Sequence, residues 1–338
     1  MKKIIAFSKY IFYSVGGAEK SMFEVLKRKS AEQYEINLVG VENLKSFNCA
    51  QYEIPGLIGW SKTTIALKSQ FKKFAYLEYC LNKGNITNYF RNINVDVEVY
   101  TYGFYAPAAV LGFGGKSTVY LRNETDLGIN SNYYSGVKRI FKLIHIFLEY
   151  PFYLIYLRDL RVCYSKSKLV FNSQWMASEC KKRFGNDGVI EYPIIDEELL
   201  KKNYLLNKNI QEKGIVFIGD SEIKGLSIVK KISRILNNQR FYVFSRNVKE
   251  KFMEQNITYM PWSTDNSIPF QYAKLIIVPS LWNEAFGRVS VEAQSLNIPV
   301  LVSNRGGLPE TVKFNKKYIV EDFFDAKQWV KKINEVLL

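Results

Sequence analysis

Two glutamates carry the most informative spacing in this chain. Glu284 and Glu292 stand eight positions apart, with Gly287 between them. The apolar run 275–278 precedes them, and a second apolar run, 299–303, follows. After it comes the glycine loop Arg305-Gly-Gly-Leu-Pro-Glu310. The order is strand, loop with Glu284, helix with Glu292, strand, glycine loop. That order suits a nucleotide diphosphate. A helix N-terminus offers unpaired N–H groups and positive partial charge to phosphate. Gly287 removes a side chain where the backbone must come close. A carboxylate in the helix accepts hydrogen bonds from ribose hydroxyls, as acidic residues do in dinucleotide folds. Lys224 follows another apolar run, 214–218, and Gly225 follows it. An ammonium there neutralises charge developing on a diphosphate leaving group. Gly16 and Gly17 open an early helix, where a tight turn and close backbone approach to a ligand serve together.

These residues need a frame, and the chain alternates strands and helices as a parallel sheet covered on both faces does. Strands are expected at 4–7, 36–41, 95–100, 118–121 and 169–172, then at 214–218, 240–245, 275–279 and 300–303. Helices are expected at 18–28, 173–184, 225–236, 288–296 and 325–337. Ser173 is the expected N-cap and Gly185 the stop of one of them. The boundary falls near 193–213, where Pro193, an acidic cluster (Asp196, Glu197, Glu198) and a polar stretch read as a linker. This gives two domains, 1–193 and 194–338, each Rossmann-like and doubly wound. Such domains bind ligands at the carboxyl ends of their strands. Facing each other, they would form one cleft.

In order and type, the motifs Gly16-Gly-Ala-Glu-Lys20, Lys224-Gly225 and the pair Glu284 and Glu292 resemble those of retaining glycosyltransferases of family 4. These enzymes have the GT-B fold and an E-x7-E motif. The resemblance spans residues 16 to about 310. It implies an α/β GT-B chain. The first domain would take the acceptor and the second the nucleotide-sugar donor, and the final helix could pack toward the first domain. It implies catalytic roles for Glu284, Lys224 and Arg288, with Glu284 holding the donor sugar's hydroxyls. Glu292, Gly287, Val289, Ser290, Gly16, Gly17 and Phe286 would bind the donor, with the N–H groups of Val289 and Ser290 near phosphate. It implies no metal and no cofactor besides the donor, which is a substrate. The acceptor would be a glycan or lipid-linked glycan of a cell-surface polysaccharide.

The chain departs from the family at two places. Asp220 stands where an arginine is common, so Arg288 or Arg246 would replace that phosphate contact. The family's first-domain histidine has no counterpart. Its strand end reads Tyr120-Leu-Arg-Asn-Glu-Thr-Asp126, which offers Arg122, Asn123, Glu124 and Asp126 instead. His145 lies in an apolar helical stretch and reads as a satisfied core or surface residue rather than a catalyst.

Composition narrows the classes. The chain has 338 residues, 47% of them hydrophobic, enough for two sizeable cores. Cys49, Cys80, Cys163 and Cys180 lack Cys-x-x-Cys spacing, and with one histidine they argue against a zinc cluster. Reduced thiols suit the cytoplasm. The net charge is +15, of which residues 1–193 carry +10. Stretches 133–161 and 60–83 mix basic and aromatic residues. They suit an anionic membrane surface on the cytoplasmic side, or amphipathic helices packed on a sheet. Lys142, His145, Glu149 and Pro151 interrupt the longest apolar region, 140–157, and argue against a spanning helix. The 23 tyrosines and 23 phenylalanines, with the basic charge, admit a nucleic-acid-binding reading. No nucleic-acid motif accompanies them, so nucleic acid is disfavoured. The chain also admits a sugar-nucleotide epimerase or a degenerate, partner-binding GT-B protein.

Overall fold

The computed structural model describes residues 2–12, 17–42, 60–71, 74–128, 137–206, 210, 212–219, 221–263 and 265–337. Side chains at 137–143 are not among them. Gly16 and Asp220 lie outside the described residues. The chain forms two compact units that change over between Ile194 and Ile195.

The first unit contains strands β1 (Lys3–Phe7), β2 (Glu35–Val41), β3 (Ser61–Ile65), β4 (Glu98–Tyr102), β5 (Ser117–Leu121), β6 (Lys168–Phe171) and β7 (Val189–Ile190). All pair in parallel, in the order β3-β2-β1-β4-β5-β6-β7. Helices α1 (Gly17–Ala31), α2 (Ala75–Arg91), α3 (Ala106–Gly112), α4 (Val137–Lys166) and α5 (Gln174–Phe184) connect them. A parallel sheet covered on both faces needs strands apolar on both sides. Ile4, Ile5, Ala6 and Phe7 are accordingly all buried. The ends of α5 follow from its sequence. The Ser173 hydroxyl accepts from the Met176 N–H at 3.0 Å, and Gly185 closes the helix at φ 76°.

Two expectations need correction. The strand expected at 95–100 runs from Glu98 to Tyr102, because Val95 lies in an exposed turn. The stretch 60–83 comprises strand β3 and the start of α2. The expected linker contains a helix, α6 (Glu197–Leu206). Leu200 drives that helix onto the core, where it is buried with Val216, Phe270 and Ala293.

The second unit continues with β8 (Gly214–Ile218), α7 (Leu226–Ile235), β9 (Phe241–Ser245), β10 (Phe252–Glu254), β11 (Ile257–Pro261), α8 (Ile268–Gln271) and β12 (Ala273–Val278). It ends with α9 (Arg288–Ser295), β13 (Val300–Ser303), α10 (Leu308–Thr311), β14 (Ile319–Val320) and α11 (Ala326–Leu337). The strand order is β10-β11-β9-β8-β12-β13-β14, and only β10 is antiparallel to its neighbour. Helix α11 packs within this unit. Trp329 and Ile333 are fully buried with Val229 and Ile232 of α7. Burial of side chains this large stabilises the unit by roughly 1.5–3 kcal/mol each. The Trp329 indole N–H donates to the Phe323 carbonyl at 3.0 Å, so burying it leaves no unmet donor.

The strand order reverses between β1 and β4 in the first sheet and, within the parallel part of the second, between β8 and β12. At such a reversal the flanking connections leave on opposite faces and open a crevice at the strands' carboxyl ends.

Candidate functional site

Lys224 and Glu284 meet at the reversal of the second sheet. Lys224 ends a 3-10 turn, Glu222–Lys224, after β8. Glu284 sits on the connection from β12 to α9. Their side chains form an ion pair across sixty positions of sequence. Gly225 allows the approach. Its φ is +97°, and a Cβ there would collide with the Pro279 carbonyl. The N–H of Leu281 donates to the Ile223 carbonyl at 2.8 Å and ties the two connections together.

The Glu284 carboxylate is held from several sides. Its Oε1 receives Lys224 and the Ser280 hydroxyl, the latter at 2.7 Å. Burial pushes its pKa up. The Lys224 ammonium, with the hydrogen bonds from Lys224 and Ser280, outweighs that and leaves it below the usual carboxylate range. The Ser303 hydroxyl donates to the Ser280 carbonyl at 2.8 Å, and the Gly307 N–H to the Glu284 carbonyl at 2.7 Å. The Lys224 ammonium also lies 4.8 Å from the centre of the Trp282 ring, within cation–π range. Ser280 and Trp282 escaped the sequence reading. Their only sequence signal is nearness to Glu284.

Helix α9 starts at Arg288 after Gly287, whose φ is +121°. A Cβ on Gly287 would come within 2.5 Å of Leu308 Cδ2, so its glycine serves packing against α10 as well as backbone freedom. Glu292 lies one turn into the helix and faces Arg288, with Oε1 3.5 Å from Nη2. Both side chains are largely buried, so the pair is little screened. Phe286 is buried just before the helix.

Ser290 behaves differently from its neighbours. Its N–H donates to the Gly287 carbonyl at 3.1 Å. Its buried hydroxyl accepts from Thr311 at 2.7 Å and fastens α9 to α10. Val289, at the second helical position, is placed where backbone N–H groups lack intrahelical acceptors. Gly306 and Gly307 form the glycine loop after β13. At Gly306, φ is +58° and a Cβ would strike the Glu284 carbonyl, so this glycine makes room for the protein's own backbone.

The remaining candidates are spread more widely. Arg246 follows β9, with its guanidinium 4.8 Å from the Trp262 ring. Gly17 opens α1 in the first unit. Arg122, Asn123, Glu124 and Asp126 shape the turn after β5. Asp126 Oδ2 accepts from the N–H groups of Arg122 and Asn123 at 2.8 and 2.9 Å, in a capping box. Burial pushes the Asp126 pKa up to about 6, against the pull of those two N–H groups. His145 lies 3.7 Å from Glu149 and against the Phe74 ring. Among the described residues, no group of three or more His, Cys, Asp or Glu side chains gathers as metal ligands would.

Comparison with known proteins bears on the fold and on the second unit. Residues 198–338 match the family Glycosyl transferases group 1. Spore coat protein SA of Bacillus subtilis is 32% identical over 105 residues. That stretch is 30% of this chain and only 27% of the relative's length. Among solved structures, sucrose-phosphate synthase from Thermosynechococcus elongatus superposes with a TM-score of 0.72 at 12% identity. It covers all of this chain and 90% of that one. Anabaena HepE in complex with UDP-glucose gives a TM-score of 0.64 at 14% identity, over 100% and 90% of the two chains. The fold is thus GT-B, with two Rossmann-like α/β units.

Proposed function

We propose that this protein is a retaining glycosyltransferase that moves a sugar from a nucleotide-sugar donor to a glycan or lipid-linked glycan. The observation that carries the reading is the meeting of Lys224 and Glu284 at the strand-order reversal, with Glu292 a short way along α9. The group 1 glycosyltransferase match over 198–338 and the UDP-glucose bound to HepE support it.

On this reading the two ion pairs stand in for the donor. A diphosphate takes Lys224 and Arg288 from their carboxylates. The freed carboxylates accept hydroxyl donors, Glu284 from the sugar and Glu292 from the ribose. The exchange keeps every charge partnered, which matters because an unpaired charge in a partly buried site is costly. In the transfer, the bond from the anomeric carbon to the phosphate oxygen breaks. The acceptor oxygen bonds to the same face of that carbon, and its proton passes to the departing phosphate. Lys224 neutralises the charge that develops there, and the N-terminus of α9 adds its dipole. No protein nucleophile is required. What the protein supplies is position and charge. The donor is the only small molecule this reading calls on.

A thermal-shift panel of UDP, GDP, ADP and their sugar conjugates tests the donor site. A ligand that binds only the folded form raises the melting temperature. The expected result is a rise with one nucleotide family, reduced in Glu292→Ala by about tenfold weaker binding. No rise with any of these nucleotides overturns the reading. With the donor identified, NMR of the product's anomeric configuration decides between retention and inversion.

A further inference from the structure

The outward face of α4 is the largest run of exposed apolar side chains on one element. Ile144, Phe147, Tyr150 and Leu154 are exposed on one side, Phe147 to 79%, and Ile146 and Leu148 are exposed off that side. At 100° per residue, Ile144, Phe147, Pro151, Leu154, Arg158 and Arg161 fall on one stripe. Glu149, Tyr153, Tyr156, Leu160 and Cys163 fall on the opposite one.

From Glu149 onward the inward side of the helix is engaged by the protein. Glu149 accepts from the N–H groups of Tyr76 and Leu77 at 2.9 and 3.4 Å and so caps the start of α2. Asp159 accepts from the Tyr79 hydroxyl at 3.1 Å and from Lys83 at 3.0 Å. These are the only two carboxylates in the α4 sequence, and both are buried. The same sequence has six basic residues. Of these, Arg158, Arg161 and Lys166 are exposed, and Arg158 also touches Asp159 at 3.2 Å. The helix therefore segregates its charge. Over residues 144–166 the acid faces the protein, and Phe147, Leu154, Arg158 and Arg161 face out.

We propose that this outward face rests on the surface of an anionic lipid bilayer, with α4 lying in the plane of the interface. Phe147, Leu154 and their neighbours enter the boundary between headgroups and acyl chains. Arg158 and Arg161 meet lipid phosphates within about one to four turns of them. A second copy of this chain is a poorer occupant, since pairing the stripe with itself sets basic side chains against each other. No helix among the described residues is long and apolar enough to cross a membrane, so the attachment is peripheral. The inference does not rest on the transferase reading.

Flotation of the full chain with phosphatidylcholine vesicles, with and without phosphatidylglycerol, tests it. The chain is expected to float with the anionic vesicles and to be released by salt. Phe147→Ser is expected to lower partitioning about tenfold. Arg158→Glu with Arg161→Glu is expected to abolish the preference for phosphatidylglycerol. Met253→Ser, at a comparably exposed apolar side chain in the second unit, is expected to change nothing. Hydrogen exchange of the unmodified chain gives a readout independent of any variant, with protection over 144–161 expected only with anionic vesicles. Several results overturn the proposal. They are no flotation with anionic vesicles, flotation indifferent to Phe147→Ser, protection mapping elsewhere, or a dimer in sedimentation that Phe147→Ser dissolves.

Discussion

Each unit holds a lysine–glutamate pair beyond the end of its first strand, and the two pairs are built differently. In the first unit Lys9, just past β1, meets Glu78 of α2 at 2.6 Å. Glu78 also accepts from the Tyr105 hydroxyl at 2.9 Å and the Phe71 N–H at 2.6 Å, so both its oxygens are used. Its side chain is 4% exposed. In the second unit Lys224 is 33% and Glu284 13% exposed, and the contacts from Lys224 and Ser280 both fall on one oxygen. A buried, saturated pair holds elements in place, and removing one partner strands a charge. Here the carboxylate is largely buried but the lysine is a third exposed, so the ammonium can turn to an incoming anion. The same two residue types thus serve as a fastening in one unit and, on the proposed function, as a place for an incoming diphosphate in the other.

The largest effect should come from breaking the fastening. Glu78→Ala is expected to destabilise the first unit by about 3–5 kcal/mol, seen as a lowered melting transition. Glu284→Ala should cost less, on the order of 1–3 kcal/mol in the same measurement, because the Lys224 left behind can reach solvent. Equal losses in the two variants would erase the distinction drawn between the pairs.

Activity should separate them in the opposite sense. Lys224→Ala is expected to lower kcat about 10²–10³-fold, or roughly 3–4 kcal/mol in the barrier, with the fold retained by circular dichroism. Full turnover by that variant would remove Lys224 from the chemistry.

Stability against pH sharpens the comparison further, because two carboxylates are shifted in opposite directions. Asp126 has a folded pKa raised to about 6 from 3.8. Between those values the folded state binds more protons than the unfolded one, so this group makes stability fall as pH rises from about 4 to about 6. The shift corresponds to something on the order of 3 kcal/mol. Asp126→Asn should flatten that slope in denaturation midpoints taken across this range. Glu284 has a lowered folded pKa. Its contribution is present above the usual 4.5 and is lost as pH falls through the lowered value. A slope unchanged in Asp126→Asn would remove Asp126 from the pH response.

The smallest effect distinguishes two left-handed glycines. At Gly185 φ is +76° and a Cβ would meet open space, so Gly185→Ala should cost about 1 kcal/mol. At Gly225 the added methyl also strikes the Pro279 carbonyl, and a further 1–3 kcal/mol or so is expected in the melting of the second unit. Equal losses would mean that the connection bearing Lys224 is free to shift.

What was readable in advance follows from the range of the forces involved. Periodicity and capping are local. Strand β8 falls on Gly214–Ile218 and β13 on Val300–Ser303, as apolar runs bounded by polar or turn residues require. Helix α5 starts after Ser173 and stops at Gly185 for reasons contained in a dozen residues. Helix α6 was hidden because its acidic and polar composition masks one buried anchor, Leu200. Short strands such as β3 and β7 take their form from pairing with a neighbour, which no window of sequence reveals.

The sequence by itself determined the residue types and the local elements that present them. These include Glu284 ahead of a helix and Glu292 within it, Gly287 at its start, and Lys224 before Gly225. Only the tertiary structure decided which of these meet. Lys224 reaches Glu284 because β8 and β12 are hydrogen-bonded neighbours where the strand order reverses. It likewise decided that Ser290 turns inward to Thr311 and that Gly306 yields space to Glu284 rather than to a ligand. The physical reason is that strand order and interior packing are settled by contacts far apart in the chain, while periodicity and capping act within a few residues.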